Sequence, residues 1–198
     1  MRIKKSFASF TGQIEVGRRA LFLEISKNGS ETMVDDLVKD ASHFNYIVLY
    51  GQPFLDKQEV AKFIKKLAKI NTNVSFQINT PGLIRPVGVG SYTNIIFNVL
   101  LKLKNSKLDY DERINPNIIK WFVEIEANFI FDIHKGSDVD EVIMLINMVN
   151  IPKRLVYLSP RTGDILDVII NKALKHGFNI APDFRMFLWE NIGGDNNE

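Results

Sequence analysis

Short apolar runs alternate along this chain with stretches in which apolar residues recur every three or four positions. The first kind reads as buried strand, the second as helix with one face turned to a core. The clearest run is Tyr46-Ile-Val-Leu49, closed by Gly51 and Pro53, where free φ and a missing amide donor both end a strand. Asp56 then opens an amphipathic helix to about Ile70, with Glu59 placed to complete a capping box. Val60, Phe63, Ile64 and Leu67 form its inner face, while Lys57, Lys62, Lys65, Lys66 and Lys69 point outward as a solubilising surface.

The same alternation continues in both directions. Ala20–Ile25 reads as a first strand, Lys27–Ser30 as a turn, and Ser30 as the cap of a helix over Glu31–Ala41. Val74–Ile78 and Ile95–Leu101 are strands separated by a Gly- and Pro-rich loop over 83–94. A polar loop over Lys102–Arg113 leads to a helix from Asn115-Pro116 to about Glu126, proline being suited to a first helical turn. Phe129–His134 and Leu155–Leu158 are further strands, the second ended by Ser159-Pro160. A helix capped by Ser137 lies between them, and another over Gly163–His176 stops at Gly177. Ile180–Trp189, interrupted by Pro182, reads as a last edge strand. Strand and helix in turn predict parallel βαβ units, hence an α/β fold in a single domain over 1–192, followed by a polar tail over 193–198.

Composition narrows the chemistry. With 45% hydrophobic and 24% charged residues in 198, the chain is long enough and apolar enough for a full core. No apolar run approaches the roughly 20 residues of a membrane span, and the basic start Met1–Ser6 lacks the apolar stretch of a secretory signal, so a cytoplasmic location is expected. The net charge of +2 gives no footprint for nucleic acid, although the first thirty residues carry six basic against two acidic side chains. There are no cysteines. That removes thiolate nucleophiles, cysteine-ligated zinc and cysteine-held iron–sulfur clusters. His43, His134 and His176 are far apart in sequence and lack a second ligand at helical or turn spacing.

Several segments, in order, resemble one family. Asn98–Lys107 followed by Asp111–Pro116 is similar to the Ser-Pro-Lys-Leu-x-Asn-Ser and Arg-Ile-x-Pro segments of the 7-carboxy-7-deazaguanine synthases, which are radical S-adenosylmethionine (SAM) enzymes of 7-deazapurine (queuosine precursor) metabolism. Ala127–Phe131, Asp138–Val142, Ile151–Pro160 and Asn179–Trp189 continue the likeness. Tyr50–Leu55 resembles the family's Gly-Gly-Glu-Pro-Leu-Leu loop, and Gln77–Gly82 its Glu-Thr-Asn-Gly strand end. The resemblance implies a partial (β/α)6 TIM-like barrel of mostly parallel strands, and a homodimer.

The departures from that family bear on function. Its cluster is held by three cysteines in a loop after the first barrel strand. Here the chain passes from Ile25 through Ser26–Ser30 directly into the next helix, so the resemblance implies a radical SAM-like core without its cluster loop. Without a cluster no electron reaches SAM and no radical forms. Tyr50 stands for the first Gly of the SAM-binding loop and Gln52 for its Glu, which removes the charge that would pair with an ammonium. Ser9–Gln13 resembles a substrate-touching segment with Thr11 and Gln13 altered, and Glu24 falls where the family has a substrate-binding Arg.

The expectation is therefore a catalytically inactive relative, with no catalytic residues and no metal ligands. It would act by binding a protein partner or a purine-like, nucleotide-like molecule. An alternative is an enzyme of 7-deazapurine metabolism that uses the barrel mouth without a cluster; pairing with a cysteine-bearing homologue is a third reading. Candidate ligand contacts are Arg18, Gly51, Gln52, Asn79, Thr80, Lys102, Asn105, Ser106 and Ser159.

Overall fold

Every strand among the described residues joins a single sheet. The computed structural model describes residues 1–54, 57–86, 88–89 and 94–184. The strands are β1 (Arg2–Phe10), β2 (Arg19–Ile25), β3 (Ser30–Glu31), β4 (Tyr46–Gly51), β5 (Ser75–Thr80), β6 (Ile95–Leu101), β7 (Asn128–Ile133), β8 (Val156–Pro160) and β9 (Asn179–Ile180). The helices are α1 (Val34–Ala41), α2 (Lys57–Ile70), α3 (Tyr110–Arg113), α4 (Pro116–Glu124), α5 (Asp138–Val149) and α6 (Leu166–His176). The spatial order is β3-β1-β2-β4-β5-β6-β7-β8-β9. From β2 through β9 each neighbour is parallel, while β1 runs antiparallel to both β2 and β3. This is the expected α/β partial barrel: the strands follow one another around an open sheet that does not close on itself.

The period of two along each strand separates two environments. Leu23, Ile25, Ile47, Leu49, Phe76, Ile78, Val99, Phe129, Phe131, Ile133 and Leu158 face outward into one continuous core beneath the helices. Val60, Phe63, Ile64 and Leu67 of α2 are all fully buried in it. Each such side chain contributes about 2 kcal/mol relative to exposure, which is what holds α2 to the sheet. The inner face is different. Ala20, Phe22, Tyr46 and Val48 form a small cluster at its β2–β4 side, and the buried polar residues Gln77, Asn98 and Ser159 continue it.

Most predicted elements form within a residue or two of their expected limits, and the differences have physical causes. Ser30 does not cap a helix; it pairs with Ile3 in β3, and α1 begins after Met33, which offers no side-chain cap. Arg2–Phe10 is a strand although almost all of it is exposed, because its partner is supplied through a hairpin rather than by an apolar face. Residues 102–113 are not all loop: Asp109 and Glu112 form a reciprocal capping box around the single turn α3. Ser137 precedes α5 without a capping bond; the buried Asp138 carboxylate instead accepts from the backbone amides of His134 and Lys135 at 2.9 and 3.2 Å. Between β5 and β6 the described residues contain no helix. The last strand keeps only Asn179–Ile180, the Ala181 amide adding one further bond to Leu158 O of β8 at 2.9 Å. The expected cap Asp56, the end of the Ile180–Trp189 strand and the 193–198 tail lie outside the described residues. No described helix is long and apolar enough to cross a membrane.

Candidate functional site

The carboxyl ends of β4, β5, β6 and β8 converge on a cavity of about 380 Å³, the size range of small-molecule sites. Its aromatic wall comes from the amino-terminal side of the sheet. Phe7 of β1 stacks on Phe22 of β2 with centroids 5.4 Å apart and rings 6° from parallel, and Tyr50 of β4 meets Phe22 edge-on at 6.3 Å. The register places Phe7 opposite Phe22, so the wall is a direct product of the β1–β2 hairpin.

The facing wall is charged. Lys102 follows β6 and Arg161 follows β8, and both reach Asp132 near the end of β7: the guanidinium bonds Asp132 Oδ2 at 2.5 Å, and the Lys102 ammonium lies 3.7 Å from the same oxygen. Asp132 Oδ1 is buried and takes no hydrogen bond from any described residue. Lys102 and Arg161 keep 43% and 34% of their side chains exposed, so one carboxylate orients two cations that still open onto the cavity. Asp183 also lines the wall; it is 7% exposed and engaged in a contact of its own.

A row of amides crosses the barrel beneath the cavity. The Tyr46 hydroxyl donates to Gln77 Oε1 at 3.2 Å, and Gln77 Nε2 donates to Asn79 Oδ1 at 2.9 Å. From the other side Asn128 Nδ2 donates to Asn98 Oδ1 at 2.9 Å, and Asn98 Nδ2 donates to Asn79 Oδ1 at 3.0 Å. In parallel β-strands these positions are cross-strand neighbours: Asn79 opposes Asn98, and Asn98 opposes Asn128. Buried amides held in this way satisfy one another in a space that would otherwise penalise them. Burial pushes the Tyr46 phenol up to about 12, with the Glu15 carboxylate adding to the effect and Arg18 opposing it.

Seven of the nine expected contacts line three neighbouring spaces, and Ser159 and Arg18 line none of them. Gly51, Asn79, Thr80 and Lys102 line the main cavity together. Gln52 lines a neighbouring space of about 260 Å³ with Thr80 and Pro81. Asn105 and Ser106 line another, of about 440 Å³, which shares Lys102 and Arg161 with the main one. Ser159 is fully buried and its hydroxyl accepts from Gln13 Nε2 at 2.9 Å, so it reaches the cavity only through Gln13. Arg18 does not line the mouth: it stands beside the start of β2, where it pairs with Glu15 at 2.7 Å and lies over the Tyr46 ring at the start of β4. Arg161, Asp132 and Phe7 were not singled out by sequence reasoning. Arg161 carried one available signal, its place directly after a strand end. Glu24 is tied to Lys4 at 2.9 Å and accepts from the Tyr50 hydroxyl at 3.4 Å; the bond from Lys4 holds its carboxyl below the usual range.

A cysteine-held cluster does not fit the residues present. The chain contains no thiolate, and the turn after β2 closes tightly, Gly29 N bonding Ser26 O at 3.0 Å. A side chain on Gly29 would meet the Ile3 carbonyl carbon at 2.7 Å, so the turn lies directly on β1 with no space for a ligand-bearing loop. No group of three His, Asp or Glu side chains gathers to hold a metal among the described residues. The neighbouring Gly51, at φ +83°, is packed so closely that an added Cβ would lie 2.6 Å from Ile25 O. Gln52 N donates to that same carbonyl at 2.8 Å, keeping the β2 and β4 ends in contact.

No protein-family profile matches the chain, and no curated protein matches it in sequence. Solved structures do match in fold. QueE from Escherichia coli superposes with a TM-score of 0.68 over 92% of this chain and 93% of that one, at 16% identity. SuiB from Streptococcus suis matches with a TM-score of 0.55 over 78% of this chain at 12% identity. SuiB bound to S-adenosylmethionine matches at 0.53 over 78%, at 11% identity. This chain spans less than half of SuiB, covering 44% and 42% of the two SuiB chains. The likeness shows a shared fold, carried here by a chain without cysteine.

Proposed function

We propose that this chain is a non-catalytic, radical SAM-like barrel that binds a nucleotide-like small molecule at its mouth. The observation that carries the reading is the pairing of walls around the main cavity. Phe7, Phe22 and Tyr50 offer apolar faces to a planar heterocycle, while Lys102 and Arg161, oriented by Asp132, offer donors to an acidic group. The missing thiolates remove cluster chemistry, while the cavity sits at strand carboxyl ends, where parallel α/β folds place their ligands. That a protein of this fold has been solved with SAM bound supports a site for nucleotide-like molecules in such a barrel.

A thermal-shift screen tests this. The panel contains SAM, S-adenosylhomocysteine, purine mononucleotides, pterins and 7-deazapurine acids. A ligand present at 100 times its dissociation constant stabilises by about 2.7 kcal/mol, a shift of a few degrees for a domain of this size. At least one member should raise the melting temperature of the wild type, and Lys102→Met or Arg161→Met should reduce the shift. A panel that leaves the melting temperature unchanged sinks the reading.

A further inference from the structure

The amide row beneath the cavity has a direction. Asn79 Oδ1 receives two hydrogen bonds, from Gln77 Nε2 on its own strand and from Asn98 Nδ2 on the next. Those two donors are held from behind, by Tyr46 donating to Gln77 and by Asn128 donating to Asn98. With its oxygen occupied twice, Asn79 has only its Nδ2 to offer, and that nitrogen makes no hydrogen bond with any described residue. Asn79 is also the one member of the row that lines the main cavity. Gln77 and Asn98 are 5% and 1% exposed and reach no ligand themselves.

We infer that Gln77 and Asn98 are positioning residues that set Asn79 as a hydrogen-bond donor on the cavity floor, so that the site selects a heterocycle presenting an acceptor, a ring carbonyl in preference to an exocyclic amine. The inference rests on the nucleotide-like reading above and adds the polarity of the ligand's edge. The cations stand at the rim, on residues just past β6 and β8, whereas Asn79 lies within β5. A mononucleotide held by its phosphate at Lys102 and Arg161 turns the edge of its base opposite the sugar toward the floor. A 6-oxo group there accepts from Asn79 Nδ2. A 6-amino group sets donor against donor, leaving both unpaired in a partly desolvated space.

The test is calorimetric titration of inosine monophosphate and adenosine monophosphate, which differ at that position in carbonyl against amine. The wild type should prefer inosine monophosphate by about tenfold or more, the cost of one unsatisfied buried polar group. Gln77→Met and Asn98→Leu each remove one of the bonds that hold the Asn79 oxygen, letting the amide turn. Each should bring the two affinities to within about twofold of each other, an effect on selectivity that general loosening of the barrel does not produce. Two variants on different strands keep the test usable if one fails to fold, as judged by its melting curve. A preference unchanged in the folded variants, or a wild type that favours adenosine monophosphate, overturns the inference while leaving the nucleotide-like reading intact, provided Lys102→Met still weakens both ligands. If neither nucleotide binds the wild type, the inference falls; a binder found elsewhere in the wider panel would still preserve the broader reading.

Discussion

Arg161 and Asp132 join the ends of β8 and β7 through one guanidinium–carboxylate bond of 2.5 Å, and the carboxylate's other oxygen is buried without a partner among the described residues. Asp132 therefore holds the charged wall of the mouth while also competing for the two cations that would bind an acidic ligand. Removing its charge separates these roles. Asp132→Asn should lower stability by about 1–3 kcal/mol, because a charge-assisted bond is lost at a partly buried site. The same variant should bind purine mononucleotides several-fold more tightly, since Lys102 and Arg161 no longer share their charge with an internal anion. Denaturant titration and calorimetry on one preparation measure both signs.

The loop that carries Lys102 is held from beneath. Arg113 is 4% exposed, and its Nη1 donates to Lys102 O at 3.0 Å and to Glu141 Oε1 at 2.9 Å. Glu141 in turn accepts from Lys104 N at 3.0 and 3.3 Å. Truncating one member of a buried pair leaves the other uncompensated, so Arg113→Met should cost about 3–5 kcal/mol in denaturant unfolding. The double variant Arg113→Met with Glu141→Leu should recover part of that loss, a coupling that a double-mutant cycle reads directly.

Tyr46 links the cavity floor to alkaline stability. Its phenol is raised by burial to about 12 in the folded protein, against an ordinary value of 10.0. A raised acid contributes stability that is fully present below the unfolded value and is lost as pH climbs through the folded one. Wild-type stability should therefore fall between pH 10 and about 12, and Tyr46→Phe should fall less steeply over that window. At neutral pH the variant should be less stable by about 1 kcal/mol, having left Gln77 Oε1 without its donor. Melting curves across that range distinguish the two effects.

The absence of thiolates has a chemical consequence that does not depend on the ligand. After anaerobic incubation with iron and sulfide followed by desalting, the protein should retain no stoichiometric cluster, and it should not cleave SAM under reduction. Iron and sulfide analysis with product chromatography checks this. Stoichiometric incorporation would show a ligand set that the chain's composition does not supply.

How much of this was legible in the sequence depended on where each partner lay. β4 announced itself because a strand buried on both faces carries an unbroken apolar run, and β6 and β7 did so although Asn98 and Asp132 interrupt theirs. The strand-end positions Gly51, Asn79, Thr80 and Lys102 followed from the βα order and do meet at one cavity. β1 was silent because an exposed strand has no apolar period to read, and it brought Phe7 of the three-residue aromatic wall with it. Arg18 was placed by motif likeness, but it stands beside the start of β2, over the Tyr46 ring. Arg113 read as the end of a polar loop, whereas its partner Glu141 lies 28 residues away on α5. Contacts of that kind are set by the packing of α5 against the segment after β6, and nothing in the local pattern marks them.

The most direct test of the account is a calorimetric titration of metal-free protein with the nucleotide-like panel, run on the wild type and on the double variant Lys102→Met with Arg161→Met. The account predicts one-to-one binding of at least one acidic, planar member to the wild type, weakened by about tenfold or more in the double variant while the fold is kept. Binding of equal strength in both proteins, or none to the wild type, would contradict it.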